Sequence, residues 1–176
     1  MKFLLLALAA FLFFGCVSSG QEVSQDGAFK TTYSEVTGES ETIHEDLEVG
    51  YIWNLRDNLM ERENILLAIK NGGLYAGVLY QGSIWSFFTK AVFMADGQRL
   101  EVPLSNRNGY VVKGKIVREG YTGKVEPASV EKLRALLSSE TCGVGFVGDN
   151  YTTDKIALKP KVRAALLATV EKSLER

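Results

Sequence analysis

The sequence predicts an α+β domain: a mainly antiparallel β-sheet of about seven to eight strands, with two amphipathic helices near the C-terminus packing on one face. Three observations point there. Apolar and polar residues alternate through much of the chain before Pro127, the period of a half-buried strand. Short turn sequences (Asn71-Gly72-Gly73, Gln81-Gly82, Asp96-Gly97, Asn108-Gly109) separate the runs, and short turns join antiparallel neighbours. After Pro127 the apolar spacing changes to three and four residues, the period of a helix.

Residues 1–16 read as an export signal. Lys2 precedes twelve apolar residues, Phe3 to Phe14, and then Gly15-Cys16. As a helix this run rises about 18 Å, well short of a hydrocarbon core of roughly 30 Å, and a polar stretch follows at once. A small residue beside the cut is what a lipoprotein-type signal peptidase needs, which puts cleavage between Gly15 and Cys16. Phe13-Phe14-Gly15-Cys16 resembles the lipobox of bacterial lipoprotein precursors, usually Leu, a small residue, Gly or Ala, then Cys. The last two positions match, and the first two hold Phe. The resemblance covers the leader alone. It implies a lipid (palmitate-bearing) anchor on Cys16 in a bacterial cell envelope, facing the periplasm or the exterior. Several acyl chains would make that attachment stable, since a single chain binds only marginally. Val17, rather than Asp, resembles the enteric sorting rule for the outer membrane, where the organism has one. The leader also fits an ordinary secretory signal cut nearby, or an uncleaved anchor.

Residues 16–28, polar and rich in Ser, Gln and Gly, read as a flexible lipid-anchored tether, and residues 29–176 as one globular domain. Its strands are expected near 29–36, 63–70, 74–80, 84–94, 99–104, 110–118 and 142–148. A further strand is expected where Ile43, Leu47, Val49, Tyr51 and Trp53 share one parity and His44, Asp46, Glu48 and Asn54 the other. Residues 84–94 are apolar on both parities, which predicts a central strand covered on both faces. The first helix follows Pro127, with Ser129 as N-cap and Val130, Leu133, Leu136 and Leu137 as its apolar stripe. The second starts near Pro160, with Val162, Leu166, Thr169, Val170 and Leu174 inward.

Composition narrows the function. Hydrophobic residues make up 46% of the chain and aromatics 10%, ample for a packed core. The net charge of −1 argues against nucleic acid. The charge is uneven: residues 21–50 hold eight acidic side chains and one basic, and residues 107–176 hold thirteen basic and eight acidic, so the two ends either attract each other or occupy different faces. With Cys16 lipidated, Cys142 has no disulfide partner and is expected as a small buried residue.

The motifs that suggest chemistry fall short of their requirements. Gly143, Gly145 and Gly148 spell the dinucleotide fingerprint, but in a strand-like run that follows a helix. Gly109 to Lys115 has phosphate-loop spacing, but Ile116 stands where Ser or Thr must bind magnesium, and the stretch reads as an edge strand. Ser129 and Lys132 have the spacing of penicillin-recognising enzymes, without their downstream elements. His44 is the only histidine, so a Ser-His-Asp or Cys-His mechanism must use it. Its parity places it on a polar face with Asp46 and Glu48, a weak ligand set for a divalent metal. The acidic loop Asp149 to Asp154 lacks EF-hand spacing.

The expectation is therefore a lipid-anchored, non-catalytic binding or structural protein of the envelope. No catalytic, metal-binding or cofactor-binding residues are assigned and no cofactor is expected; its partners are the membrane and an envelope protein or small ligand. The alternatives are a binder of a small or apolar ligand on an aromatic-rich sheet (Tyr51, Trp53, Tyr75, Tyr80, Trp85, Phe87, Phe88, Phe93) and, less favoured, an envelope hydrolase.

Overall fold

The computed structural model describes residues 21–35, 37–48, 62–112 and 116–175. Strands β1 (Gln21–Asp26), β2 (Phe29–Ser34) and β3 (Glu39–His44) form an antiparallel meander about turns that hold Gly27 and Gly38 at positive φ. The single helical turn α1 (Glu45–Glu48) follows. Strands β4 (Arg62–Lys70) and β5 (Gly73–Gly82) pair through Asn71-Gly72, whose φ angles of 49° and 78° are those of a tight hairpin turn. Strands β6 (Phe88–Ala95) and β7 (Gln98–Pro103) turn at Asp96-Gly97, and β8 (Asn106–Val112) pairs with β9 (Ile116–Lys124). Helix α2 (Val130–Ser138), β10 (Gly143–Gly148), the short β11 (Ile156–Ala157) and helix α3 (Pro160–Leu174) close the chain.

The α+β expectation holds, with more strands than anticipated. A seven-stranded sheet runs β1-β2-β3-β4-β5-β9-β8 and a four-stranded sheet runs β11-β10-β6-β7, every pair antiparallel. The two sheets meet through aromatic rings. Phe88 of the small sheet lies 5.5 Å from both Tyr80 and Tyr121 of the large sheet and 5.3 Å from its own neighbour Phe146. The expected stripe of α2 is buried as predicted, at Val130, Leu133, Leu136 and Leu137. In α3 the buried residues are Ala165, Leu166, Thr169 and Val170, whereas Leu174 at the last turn is 41% exposed. Arg163 of α3 donates to the carbonyls of Leu137 and Ser138, satisfying acceptors that the end of α2 leaves open. The uneven charge is spent on attraction: Lys172 and Lys161 of α3 pair with Asp26 and Asp46 at 2.7 and 2.8 Å.

Several expectations are corrected. Residues 21–26, expected within the tether of 16–28, form β1, because Gly27-Ala28 makes a hairpin turn that lets a polar strand pair with β2. The strand expected to continue through residue 54 ends at His44. Beyond it α1 changes the period, so Leu47 reaches the core from a helical turn. Buried residues of β3 are Thr42 and His44, the parity opposite to the expected one. Residues 84–87 are not strand: the chain crosses there from the large sheet to the small one, and β6 starts at Phe88. The expected strand 110–118 falls on two strands, β8 and β9, which pair antiparallel with Val112 opposite Ile116. Ser129 makes no side-chain cap, since the 3-10 turn Pro127–Ser129 leads into α2 instead. Gly15, Cys16 and residues 49–61, including Tyr51 and Trp53, lie outside the described residues.

Candidate functional site

Alternation along β4 and β5 sorts their side chains onto two faces. Leu67, Ile69, Ala76, Val78 and Tyr80 share the parity of the core. Leu66, Ala68, Tyr75, Gly77 and Leu79 share the other, with Leu66 opposite Gly77 and Ala68 opposite Tyr75, and here too Leu66, Ala68 and Leu79 are buried. On this second face lies a groove of about 560 Å³ that runs across the large sheet from β3 to β8. Its floor is Leu66, Ala68, Gly77 and Leu79. Gly77 is needed there, because a Cβ would come within 2.8 Å of the Leu66 side chain. One end of the groove is charged. Lys70 pairs with Glu39 at 3.1 Å and stands directly opposite Glu41 in the β3–β4 register. Burial pushes the Glu41 carboxyl above its ordinary value, with Lys70 acting against it. Asn71 holds this end together by accepting the Ser40 N–H at 2.9 Å.

Through the sheet from the groove, a buried carboxylate gathers four donors. Glu119 shares the core-facing parity of β9 with Val117 and Tyr121, and its side chain is fully buried. Its Oε2 accepts the Ser86 N–H at 2.6 Å and the Ser86 hydroxyl at 2.8 Å. Its Oε1 accepts the Tyr121 hydroxyl at 2.6 Å and Arg107 Nε at 2.8 Å. The Arg107 guanidinium lies 4.7 Å from the Trp85 ring centre and 4.2 Å from that of Phe87. Burial alone would raise the Glu119 pKa. The hydrogen bonds from Tyr121, Ser86 and Arg107 outweigh burial and hold it below the ordinary value. For Tyr121, burial and then the bond to Glu119 push the hydroxyl up to about 12.

This network fastens the crossover between the sheets. Phe87 sits at φ +51°, a left-handed conformation that a bulky residue adopts only when its surroundings hold it there. Its carbonyl accepts from Asp149 N and that of Ser86 from Asn150 N. Gly148 makes the close approach feasible, because a Cβ there would meet the Ser86 carbonyl oxygen at 2.4 Å. The glycines of the dinucleotide-like pattern are thus strand glycines. Gly148 passes under the crossover, and a Cβ on Gly143 would strike the Ile156 carbonyl at 2.7 Å.

The structure does not assemble the catalytic candidates. His44 is buried with its ring edge-on to Phe29 at 5.0 Å, and its Nδ1 accepts the Asp46 N–H at the start of α1, so the expected polar face for it is corrected. Asp46 pairs with Lys161. Among the described residues no hydrogen bond joins any two of His44, Ser129 and Cys142, and no group of three or more His, Cys, Asp and Glu could hold a metal. Cys142 is buried as expected, and burial pushes its thiol pKa up. The aromatic expectation also changes: Tyr80, Phe88 and Phe93 are core, and of that group Tyr75 lines the groove. Glu119 and the groove were not foreseen. The available signal was an acidic residue on the same parity as Val117 and Tyr121.

Comparison with known proteins finds no matching family model, curated protein or solved structure. Among the described residues no helix is long and apolar enough to cross a membrane.

Proposed function

We propose that the chain is a lipid-anchored envelope protein that acts by binding rather than catalysis, and that the groove on the outer face of the large sheet is its ligand site. The groove carries this reading. At about 560 Å³ it falls in the range of small-molecule sites, and it joins an aliphatic floor to a charged end, the pattern that selects amphipathic ligands. The Glu119 network supports the same reading. Ser86 is fully buried and its hydroxyl donates to the Glu119 carboxylate, an arrangement that rigidifies the crossover behind the groove.

The test is native mass spectrometry and solvent extraction of the processed protein purified from envelopes, compared with Ala68→Phe, which fills the groove floor. A species that co-purifies with wild type and is lost from Ala68→Phe at unchanged far-ultraviolet circular dichroism is the expected result. If wild type carries no such species and shows no thermal shift with envelope lipid extracts, the groove is not a ligand site. Palmitate labelling that is equal in wild type and Cys16→Ala would remove the anchor.

A further inference from the structure

We propose that the end of the large sheet carrying Gln21, the turn at Gly38 and the Asn71-Gly72 turn faces the membrane, and that the crossover around Ile84 faces away from it. The inference rests on the reading of Cys16 as the lipidated residue. Strand β1 is an integral part of the domain: it pairs with β2 over its whole length, from Gln21 opposite Ser34 to Asp26 opposite Phe29. Lys172 of α3 fastens the hairpin, pairing with Asp26 at 2.7 Å and lying 5.1 Å from the Phe29 ring centre. Strand β1 therefore begins five residues after Cys16, a reach of at most about 18 Å at roughly 3.6 Å per residue. A globule of about 155 residues has a radius of gyration near 15 Å, and so an outer radius of roughly 19 Å. A leash no longer than that radius keeps the far hemisphere off the bilayer.

Strand register identifies the two ends. Gln21 lies opposite Ser34, Ser34 opposite Glu39 and Glu41 opposite Lys70, so these residues share one end of the sheet. Gly82 and Val117, paired across β5 and β9, mark the other end, and the shorter β1–β3 meander stops part-way along, with His44 level with Leu67 of β4. Ile84 lies just beyond Gly82, which is four strands across and eleven residues along the sheet from Gln21, roughly 40 Å away at about 4.8 Å per strand and 3.3 Å per residue. The near end carries Glu22, Glu35, Glu39, Glu41 and Glu126 against Lys70 and Lys124. That net negative charge does not draw it to an anionic bilayer, so the leash rather than electrostatics sets the orientation. One consequence is that the charged end of the groove, at Glu39, Glu41 and Lys70, opens on the membrane side.

The experiment uses the full-length processed lipoprotein in phosphatidylcholine vesicles with a short-range energy-transfer acceptor on the headgroups, and a fluorophore on Thr37→Cys or Ile84→Cys. Both positions are exposed, so neither substitution disturbs the core. Palmitate incorporation into each variant is measured first. The expected result is severalfold greater transfer from position 37 than from position 84, a difference erased by a flexible insertion of about twenty Gly and Ser residues after Val17. Equal transfer from the two positions in palmitate-labelled protein overturns the orientation and leaves the anchor standing. Absence of palmitate in wild type overturns the anchor, and the orientation with it.

Discussion

Replacing Glu119 by Ala tests the buried network directly. The substitution removes the acceptor of the Ser86 N–H, the Ser86 hydroxyl, the Tyr121 hydroxyl and Arg107 Nε. The Arg107 side chain is 37% exposed and can rehydrate. The two hydroxyls, 3.0 Å apart, can still bond to each other, which leaves the Ser86 N–H and one hydroxyl proton stranded. At about 1–3 kcal/mol for each stranded group, the expected loss is about 4 kcal/mol, in line with removing one partner from a buried ion pair. With a urea m-value of roughly 2 kcal/mol/M, the unfolding midpoint by circular dichroism should fall by about 2 M. The sign with pH is also fixed. Because the folded pKa of Glu119 lies below its ordinary 4.5, its contribution is fully present above pH 4.5 and is lost as pH falls through the lower, folded value. Glu119→Gln, which does not titrate, should therefore flatten the acid limb of the stability profile below pH 4.5. A midpoint shift under about 0.5 M for Glu119→Ala would refute the network as described.

Three further outcomes are expected. Gly148→Ala should destabilise by more than about 2 kcal/mol, because its Cβ meets backbone oxygens of Ser86 and Phe87; Gly38→Ala, strained at φ +67° but in open space, should cost about 1 kcal/mol, and equal urea midpoints would contradict the close approach. Cys142 should react with a thiol reagent on the timescale of unfolding, and fast labelling of the native protein would show that the site is not buried. Leu133→Ala should cost about 2–5 kcal/mol in a denaturant titration, since Leu133 is fully buried beneath α2; a loss under about 1 kcal/mol would remove α2 from the core.

Most of the fold was legible where a local rule sufficed. Asn71-Gly72 and Asp96-Gly97 mark hairpins because few residues other than Gly and Asn adopt positive φ at little cost, and both turns stand where they were read. Gln81-Gly82 and Asn108-Gly109, also read as turns, lie instead within β5 and β8. The stripe of α2 was legible because a helix buries residues three and four apart. The misreadings share one cause. Residues 84–87 and 43–54 are apolar enough for a strand, and composition does not say where a chain leaves one sheet for another or where a helical turn interrupts the alternation. At Ser86 and Phe87 the decision belongs to Glu119, Asp149 and Asn150, more than thirty residues away in sequence.

The sequence by itself determined the α+β class, the hairpin turns at Asn71-Gly72 and Asp96-Gly97 and the two C-terminal helices, because each is encoded in neighbouring residues. Only the tertiary structure decided that β1 belongs to the domain, that His44 is buried, that Glu119 is a carboxylate held ionised inside the core, and that the outer face of the large sheet is grooved. Each of these depends on what pairing brings alongside a residue, and that environment sets its solvation, hydrogen bonds and pKa.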